Sequence, residues 1–197
     1  MVSSDAAYLA LLAVVSLERM AELGVSRRHA ATALARGGVE YGRRHFRVMK
    51  VLHTLFLLSC ALEVVALRRP FVPGLGSTML GLVAGAQALR WWAISSLGVA
   101  WNVRVIVVPG ARAVTRGPYR FLRHPNYLAV GVEMFALPLV HGAWLTALVF
   151  SLANAALLAV RVRCEESALA RHSDWAERFG VKRELAAMAG RPAEELR

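Results

Sequence analysis

Five apolar runs, separated by arginine-rich or glycine- and proline-containing stretches, constrain this chain more than any other feature of its sequence. They cover about residues 6–23, 48–67, 75–97, 127–140 and 143–160. With 57% hydrophobic residues, the 197-residue chain is more apolar than soluble domains, in which such residues make up roughly 45–50%. In a bilayer, runs of this kind form helices, because a helix satisfies its own backbone hydrogen bonds. The pattern therefore predicts an all-α integral membrane protein with about five transmembrane helices.

The N-terminal half, residues 1–97, contains the first three runs and a basic connector at residues 24–47 that is interrupted by a glycine pair. No basic segment precedes the first run and no small-residue cleavage site follows it, so we expect a retained helix rather than a signal peptide. The C-terminal half, residues 98–197, is expected to hold the last two helices and a charged, amphipathic helical tail. We expect both halves to form one integrated domain.

The distribution of basic residues predicts the orientation of the helices. Six arginines lie in the connector, five lie between residues 98 and 126, and eight lysines or arginines lie in the tail. The opposite loops carry only Arg68 and Arg69. Cytoplasmic loops are enriched in basic residues, so we expect the connector, the segment 98–126 and the tail on the cytoplasmic side. The arginine- and alanine-rich composition is typical of a bacterial protein, which predicts a bacterial cytoplasmic membrane.

The formal net charge of +11 is concentrated in these same loops. Anionic lipid headgroups are natural counterions for arginines that flank apolar helices, so the charge indicates membrane contact rather than nucleic-acid binding. Cys60 and Cys164 lie within or beside apolar runs, and two cysteines support neither a disulfide scaffold nor a cysteine-based metal site. We expect reduced packing cysteines and no metal, and the sequence carries no signal for an oligomeric state.

A polar, cationic and aromatic segment at residues 116–127 stands between the third and fourth apolar runs. The preceding residues 101–108 are rich in β-branched side chains and are closed by a Pro-Gly pair, which predicts a short extended segment and a turn. Pro118 and Pro125 favour an extended loop and mark a helix start. The fourth run reaches roughly 21 Å, less than the roughly 30 Å hydrocarbon core, so we expect its start to be recessed in a protein-lined cavity.

The segment contains Gly117-Pro118-Tyr119-Arg120 and Arg123-His124-Pro125-Asn126-Tyr127, and Arg161-x-x-x-Glu165-Glu166 follows at the end of the fifth run. In order and spacing, these motifs resemble the isoprenylcysteine carboxyl methyltransferase family over roughly residues 98–180. The resemblance implies a membrane enzyme that binds S-adenosylmethionine between the two motifs, near the cytoplasmic surface, and takes a lipophilic acceptor from the bilayer. Ala129 stands where many relatives have glycine, and the tail ends in Phe179-Gly180 without the tyrosine-rich ending of the family. We therefore expect the shape of the pocket to differ from that of these relatives.

The cofactor carries both signs of charge, a ribose and a flat adenine, and the motif residues have matching chemistry. Carboxylates can bind the ribose or the ammonium group, while the histidine, the asparagine and the arginines can bind the adenine or the cofactor carboxylate. Tyrosine rings offer faces to the adenine or the sulfonium. The expected cofactor-binding residues are Tyr119, Arg123, His124, Asn126, Tyr127, Glu165 and Glu166. Arg161 and Glu165 are expected to act in catalysis, and Trp101, Asn102 and Glu133 to bind the acceptor.

We expect the acceptor to be an oxygen of a lipophilic small molecule, such as an alkyl pyrone, resorcinol or quinol. A carboxylate acceptor needs no base, whereas an enol or phenol is helped by a base such as Glu165, Glu133 or His124. No feature of the chain indicates a protein partner, which leaves carboxyl methyl esterification of a prenylated cysteine as the second interpretation. A non-catalytic membrane transporter or scaffold is the third, although transporters generally carry repeats in both halves.

Ionisable residues inside the apolar runs are costly in a membrane and often functional. They are Glu18, Arg19, Glu22, Glu63, Arg90 and Glu133. Arg90 is expected to pair with Glu63 or Glu133, and the first three lie near the end of their run, where snorkelling to the surface satisfies them. Arg112 and Arg116, which have no partner in the motif, are expected to contact lipid headgroups. His53 and His141 are expected only to pack.

Overall fold

Residues 3–180 of the chain are described by a computed structural model, and they form a helical bundle with one small sheet. The helices are α1 (Ser4–Ala35), α2 (Arg43–Ala66), α3 (Pro73–Leu97), α4 (Pro125–Leu139), α5 (Trp144–His172) and α6 (Trp175–Arg178). The strands β1 (Val39–Tyr41) and β2 (Val105–Val107) pair antiparallel, and 3₁₀ turns lie at Gly98–Ala100 and Gly117–Arg120. The predicted all-α class is confirmed, and β2 is the predicted extended segment.

Helix α1 is longer than the first apolar run. It follows the N-cap residue Ser3 and continues through half of the basic connector to Ala35, because the intervening residues are mostly good helix formers. Gly37 ends the helix region with a φ of 78°, a left-handed conformation that a right-handed helix cannot continue. The basic connector expected over residues 24–47 is therefore helical in its first half, and α2 takes up the last residues of that range.

Helices α2 and α5 are long and apolar enough to cross a membrane by length and composition. Only 22% of the apolar window in each is buried inside the protein, so most of these apolar side chains face outward, where lipid accommodates them. Helix α4 has 15 residues and reaches about 22 Å, less than the roughly 30 Å of a hydrocarbon core. Membrane association follows from α2 and α5, and the number of five spans stays a prediction.

The hydrophobic core occupies the end of the bundle at which α1 begins and α2 ends. Tyr8 of α1, Val64 of α2 and Leu137 of α4 are almost fully buried there, and the Tyr8 hydroxyl donates to the Leu137 carbonyl (3.2 Å). His141 lies 1% exposed between the rings of Tyr8 and Phe71, as expected for a packing residue. The opposite end of the bundle, which carries the sheet, is more open and contains the predicted motifs.

The charged tail predicted from residue 161 onward begins inside α5. That helix continues without interruption to His172, and the short α6 follows. The rest of the predicted helical tail, from residue 181, lies outside the described residues. Both cysteines are free and buried, Cys60 in α2 and Cys164 in α5, as predicted.

Candidate functional site

A cavity of about 720 Å³ lies at the sheet end of the bundle. Its walls come from α1, α2, the end of α3, the segment around β2, the start of α4 and the C-terminal half of α5. Ligand cavities in proteins measure roughly 300–1,000 Å³, so this cavity has the size of a binding site for a small molecule. Side chains from both sequence motifs line it.

The Gly-Pro-Tyr-Arg segment is fixed against the end of α3. Gly117 has a φ of 61°, and a Cβ atom there would lie 2.0 Å from the Ser96 hydroxyl oxygen. Only glycine permits both the left-handed backbone and this close approach. Arg116 donates from Nε to the Ser96 carbonyl (2.9 Å), and Pro118 is fully buried. Arg116 thus holds the motif on α3, and its expected contact with lipid headgroups stays a prediction.

Tyr127 joins α4 to the charged motif of α5. Arg161 and Glu165 are four residues apart and share a helix face, and the Tyr127 hydroxyl lies between them. This hydroxyl donates to the Glu165 carboxylate and accepts from Arg161 Nε (2.8 Å). Arg161 also donates to the Val103 carbonyl, just before β2. The predicted residues of the two motifs therefore meet in one hydrogen-bonded group on the cavity wall.

His124 and Glu166 form a second link between the motifs. The His124 Nε2 and Glu166 Oε1 atoms are 3.0 Å apart, and the His124 ring stacks on Tyr127 with centroids 5.3 Å apart. Trp175 of α6 lies against the other side of His124 (6.4 Å) and also contacts the Arg123 guanidinium (6.0 Å). His124, Pro125 and Asn126 stand at the first turn of α4 because proline favours that position.

The segment after β2 is tied to the end of α5 and closes one side of the cavity. Gly110 N–H donates to the His172 carbonyl (2.8 Å), and Ala113 N–H donates to the Asp174 carboxylate (2.6 Å). The Ala113 N–H bond, more than any other contact, lowers the pKa of Asp174 below its ordinary value. Arg112 lines the cavity between these two ties, and its expected contact with lipid headgroups stays a prediction.

Two further predicted cofactor-binding residues, Tyr119 and Asn126, line the same cavity. Burial and then the nearby Glu165 carboxylate raise the pKa of Tyr119 above its ordinary value, so its hydroxyl stays protonated and can donate. The Asn126 Oδ1 atom is buried and accepts no hydrogen bond from the described residues. A buried acceptor without a partner costs free energy unless a ligand or water supplies a donor. Asn126 thus indicates a ligand position.

The predicted acceptor-binding residues separate into two groups. Trp101 and Asn102 line the cavity, and Asn102 is held by Ser26 of α1 through their side chains (2.8 Å). Glu133 lies deeper, outside the cavity wall, where its carboxylate accepts from Arg90 of α3 (2.8 Å). The pairing expected between Arg90 and Glu133 is therefore present. Arg90 lines the cavity wall and Glu133 does not.

The other expected partner of Arg90, Glu63, lies at the opposite end of the bundle. Its carboxylate pairs with Arg69 (2.9 Å) and accepts from the Thr146 backbone and side chain (both 2.7 Å). These contacts join the ends of α2 and α5 and are far from the motifs. Glu63 has a structural role in the chain that the structure describes.

The sequence interpretation missed the deep wall of the cavity. Arg19, Glu22 and His53 all line it, although the first two were expected to snorkel near a helix end and the third only to pack. Because α1 continues to Ala35, Arg19 and Glu22 lie in the middle of the helix and satisfy their charges by pairing (2.9 Å). The sequence did contain a signal for this polar wall, because Glu22 and Ser26 are four residues apart and therefore share one face of α1. Within residues 3–180, no three metal-ligating side chains converge.

Comparison with known proteins agrees with the motifs. The model of the isoprenylcysteine carboxyl methyltransferase family matches residues 79–171, which include both motifs. The uncharacterized protein YpbQ of Bacillus subtilis (strain 168) is 37% identical over 164 residues, covering 83% of this chain and 96% of that protein. An uncharacterized protein of Haemophilus influenzae is 29% identical over 152 residues, covering 77% and 88%. No solved structure matches the chain. The chain belongs to the isoprenylcysteine carboxyl methyltransferase family of membrane methyltransferases.

Proposed function

We propose that the protein transfers a methyl group from S-adenosylmethionine to an oxygen atom of a lipophilic small molecule of the alkyl pyrone, resorcinol or quinol type. One observation carries the proposal: the two motifs, more than 30 residues apart in sequence, meet at the hydroxyl of Tyr127 on the wall of one cavity. Family membership indicates the class of reaction, and we propose this cavity as the site where the reaction occurs.

The residues on the cavity wall fit S-adenosylmethionine. The Glu165 carboxylate matches the ribose hydroxyls or the ammonium group and opposes the positive charge of the sulfonium. Glu166 does not line the cavity itself, but its carboxylate is 3.0 Å from Nε2 of His124, which does, so we assign Glu166 to the cofactor site through His124. Asn126 Oδ1, which lacks a partner among the described residues, matches the amino group of adenine. Arg123 matches the cofactor carboxylate. Tyr119, Tyr127 and His124 offer rings and hydrogen-bonding atoms beside these groups.

When bound, the cofactor supplies a methyl group on a positively charged sulfur. The protein then has to align the acceptor oxygen and exclude water, which needs positioning more than chemistry from side chains. Arg161 is held by Tyr127 and by the Val103 carbonyl, so its guanidinium has a fixed direction on the cavity wall. Glu165 is fixed by the same tyrosine hydroxyl. We assign to both residues the orientation of the reacting groups. A phenol or enol oxygen loses its hydroxyl proton as it takes the methyl group, and we assign Glu165 as the base that accepts this proton.

The rest of the cavity is suited to a lipophilic acceptor. Trp101 and Asn102 line it near Arg161, and Leu23 of α1, Leu57 of α2 and Leu158 of α5 add apolar surface to the same wall. Because α2 and α5 have the length and composition of membrane spans, we propose that the acceptor is a membrane-dissolved molecule. Because basic loops favour the cytoplasmic side of a membrane, we propose that the cofactor side of the cavity lies at the cytoplasmic face of a bacterial membrane. Residues 1–97 and 98–197 act in it as one domain.

A methyl-transfer assay with labelled S-adenosylmethionine tests the proposal. The protein is reconstituted in nanodiscs and offered an alkyl resorcinol, an alkyl pyrone or a farnesyl-cysteine analogue. We expect a labelled methyl ether of the resorcinol or pyrone. Product from the farnesyl-cysteine analogue alone contradicts this acceptor class and favours prenylcysteine esterification. If the protein binds no S-adenosylmethionine at all, a transporter or scaffold function explains the chain better.

A further inference from the structure

Residues 101–104 carry the carbonyl that holds Arg161, yet they belong to no helix or strand. They lie between the 3₁₀ turn Gly98–Ala100 and β2. Backbone groups that are buried in a protein almost always have hydrogen-bond partners. In this segment several of these partners are side chains, and two of the side chains come from α1.

Ser26 of α1 holds the middle of the segment. Its hydroxyl accepts from the Val103 backbone N–H (3.0 Å) and donates to Asn102 Oδ1 (2.8 Å). In return, Asn102 Nδ2 donates to the Ser26 carbonyl (3.2 Å). Asn102 Oδ1 also accepts from the Arg104 backbone N–H (2.9 Å), so both of its lone pairs are used. Ser26 and Asn102 are therefore joined in both directions, and together they fix two backbone N–H groups of the segment.

His29 of α1 holds the start of the segment. It follows Ser26 by three residues, so both side chains lie on one face of the helix. Its Nδ1 atom lies 2.8 Å from the Trp101 carbonyl oxygen, and because a carbonyl can only accept, Nδ1 carries the hydrogen. The His29 and Trp101 rings also meet edge to face, with centroids 6.3 Å apart. The segment is thus attached to α1 at two successive points.

Arg161 depends on this attachment. Its residue is 4% exposed, and its guanidinium donates to the Val103 carbonyl and, from Nε, to the Tyr127 hydroxyl (2.8 Å). Val103 thus donates from its N–H to Ser26 and accepts at its carbonyl from Arg161. A shift of this one residue away from α1 would move the atom that fixes the direction of the guanidinium.

Ser26 acts from behind the cavity wall. Asn102, Val103 and Arg161 line the cavity, whereas neither Ser26 nor His29 is among the described residues that line it. A ligand in the cavity therefore meets the segment and Arg161. Any effect of Ser26 on that ligand is transmitted through them.

We propose that Ser26 is a positioning residue, which fixes residues 101–104 and thereby sets the direction in which the Arg161 guanidinium faces the acceptor. This inference rests on the proposed function, in which Arg161 orients the reacting groups. It adds a residue from α1, outside residues 79–171 that the family model matches. Loss of the Ser26 hydroxyl is expected to disturb Arg161 and to leave the cofactor-binding residues of the two motifs in place.

Methyl-transfer kinetics of Ser26→Ala in nanodiscs test the inference, with labelled S-adenosylmethionine and the alkyl resorcinol or pyrone that wild type methylates. The substitution leaves the Val103 N–H without its partner, so residues 101–104 relax and Arg161 loses its fixed direction. We expect kcat to fall about tenfold while the KM for S-adenosylmethionine stays within about twofold, as for an interaction that matters in the transition state. Ser26→Thr keeps the hydroxyl and should recover most of the lost kcat.

Ser95→Ala is the matched control. Ser95 is exposed on α3, and its hydroxyl donates to the Trp92 carbonyl of the same helix (3.0 Å), so its loss leaves residues 101–104 untouched. We expect the kcat and KM of wild type in this variant. The same loss of kcat in Ser95→Ala would overturn the inference, because the effect would then not depend on the contact with Val103.

Labelling of arginines with phenylglyoxal provides a readout that needs no turnover. Arg161 and Arg90 are both buried, at 4% and 5% exposed, but Arg90 donates to Glu133 (2.8 Å) rather than to the segment. We expect Ser26→Ala to raise the labelling rate of Arg161 at least about threefold through local loosening, and to leave that of Arg90 unchanged. Mass spectrometry of the peptides that contain the two arginines measures both rates.

The outcomes separate the inference from the proposed function. Unchanged labelling of Arg161 in Ser26→Ala, or a wild-type kcat in that variant, overturns the inference alone. An equal rise of both labelling rates also overturns it, because Ser26 then supports the fold in general. A wild-type protein that transfers no methyl group, with labelling raised at Arg161 alone in Ser26→Ala, contradicts the proposed function and retains the link between Ser26 and Arg161.

Discussion

Replacing Tyr127 by phenylalanine removes one oxygen atom from the point at which the two motifs meet. The phenyl ring preserves the stacking on His124, at 5.3 Å between centroids, and the packing of the first turn of α4. The substitution deletes only the hydrogen bonds to Glu165 and from Arg161. It therefore isolates the link between α4 and α5 from the shape of the cavity.

The size of the effect follows from the charges of the two partners. Hydrogen bonds to charged groups contribute about 1.5–3 kcal/mol each to stability. Arg161 and Glu165 lie one turn apart and can pair directly once the hydroxyl is gone, so part of the loss is recovered. We expect the total destabilisation to be about 1.5–3 kcal/mol. If roughly half of this loss acts on the bound state, the affinity for S-adenosylmethionine falls about four- to tenfold.

Thermal unfolding in detergent and calorimetric titration of S-adenosylmethionine into nanodiscs measure the two effects. Tyr41→Phe is a matched control, because the Tyr41 ring of β1 stacks on His172 and stands outside the cavity wall. That variant should bind the cofactor like wild type. If Tyr127→Phe binds S-adenosylmethionine within twofold of wild type, the hydroxyl does not organise the site and the reasoning is wrong.

Three further predictions concern the supports of the site. In thermal unfolding, Gly117→Ala should lower stability by more than Gly110→Ala. Both glycines have a positive φ, which costs an alanine about 1–2 kcal/mol, but only at position 117 would the added methyl group also clash with Ser96. Equal losses of stability in the two variants would disprove the clash. Arg90→Met should cost up to about 3–5 kcal/mol by the same measurement, because the buried Glu133 loses its partner at 2.8 Å and keeps only the contact with Arg19 at 3.8 Å, and a loss below about 1 kcal/mol would contradict the pairing. The Ala113 amide should stay protected from hydrogen exchange above pH 3.8, the ordinary pKa of Asp174, and should lose protection as the pH falls through the lower pKa of Asp174 in the folded protein. The reason is that a carboxyl group with a lowered pKa stabilises the fold only while it is ionised. Loss of protection above pH about 5 would refute the hydrogen bond between Ala113 and Asp174.

Much of the site was predictable from the sequence because its signals are local. Proline fixes the first turn of α4, and the spacing of Arg161 and Glu165 sets both on one helix face. The β-branched run before Pro109 indicated the extended segment that contains β2. That His124 and Glu166 belong to one site follows from the family motifs, whereas their contact at 3.0 Å depends on the packing of α4 on α5.

The deep wall was not predictable in the same way, because it depends on contacts between distant helices. The hydropathy pattern ended the first run at residue 23, yet α1 continues to Ala35. Arg19 and Glu22 therefore lie in the interior of the helix, where they pair with each other and Arg90 of α3 gives Glu22 a second cationic partner. The strand β1 was missed for a related reason. Its three residues are extended only because β2 supplies hydrogen bonds across some 65 residues of chain, as in the pair of Glu40 with Ile106.

Binding of S-adenosylmethionine to the purified protein in nanodiscs, measured by calorimetry for wild type, His124→Ala and Glu166→Ala, tests the central claim most directly. These residues come from the two motifs and lie 3.0 Å apart, so each substitution removes one side of the same contact. The account predicts saturable binding to wild type and at least about tenfold weaker binding to both variants, consistent with loss of a charge-assisted hydrogen bond. Wild-type affinity in both variants would contradict the assignment of this cavity as the cofactor site.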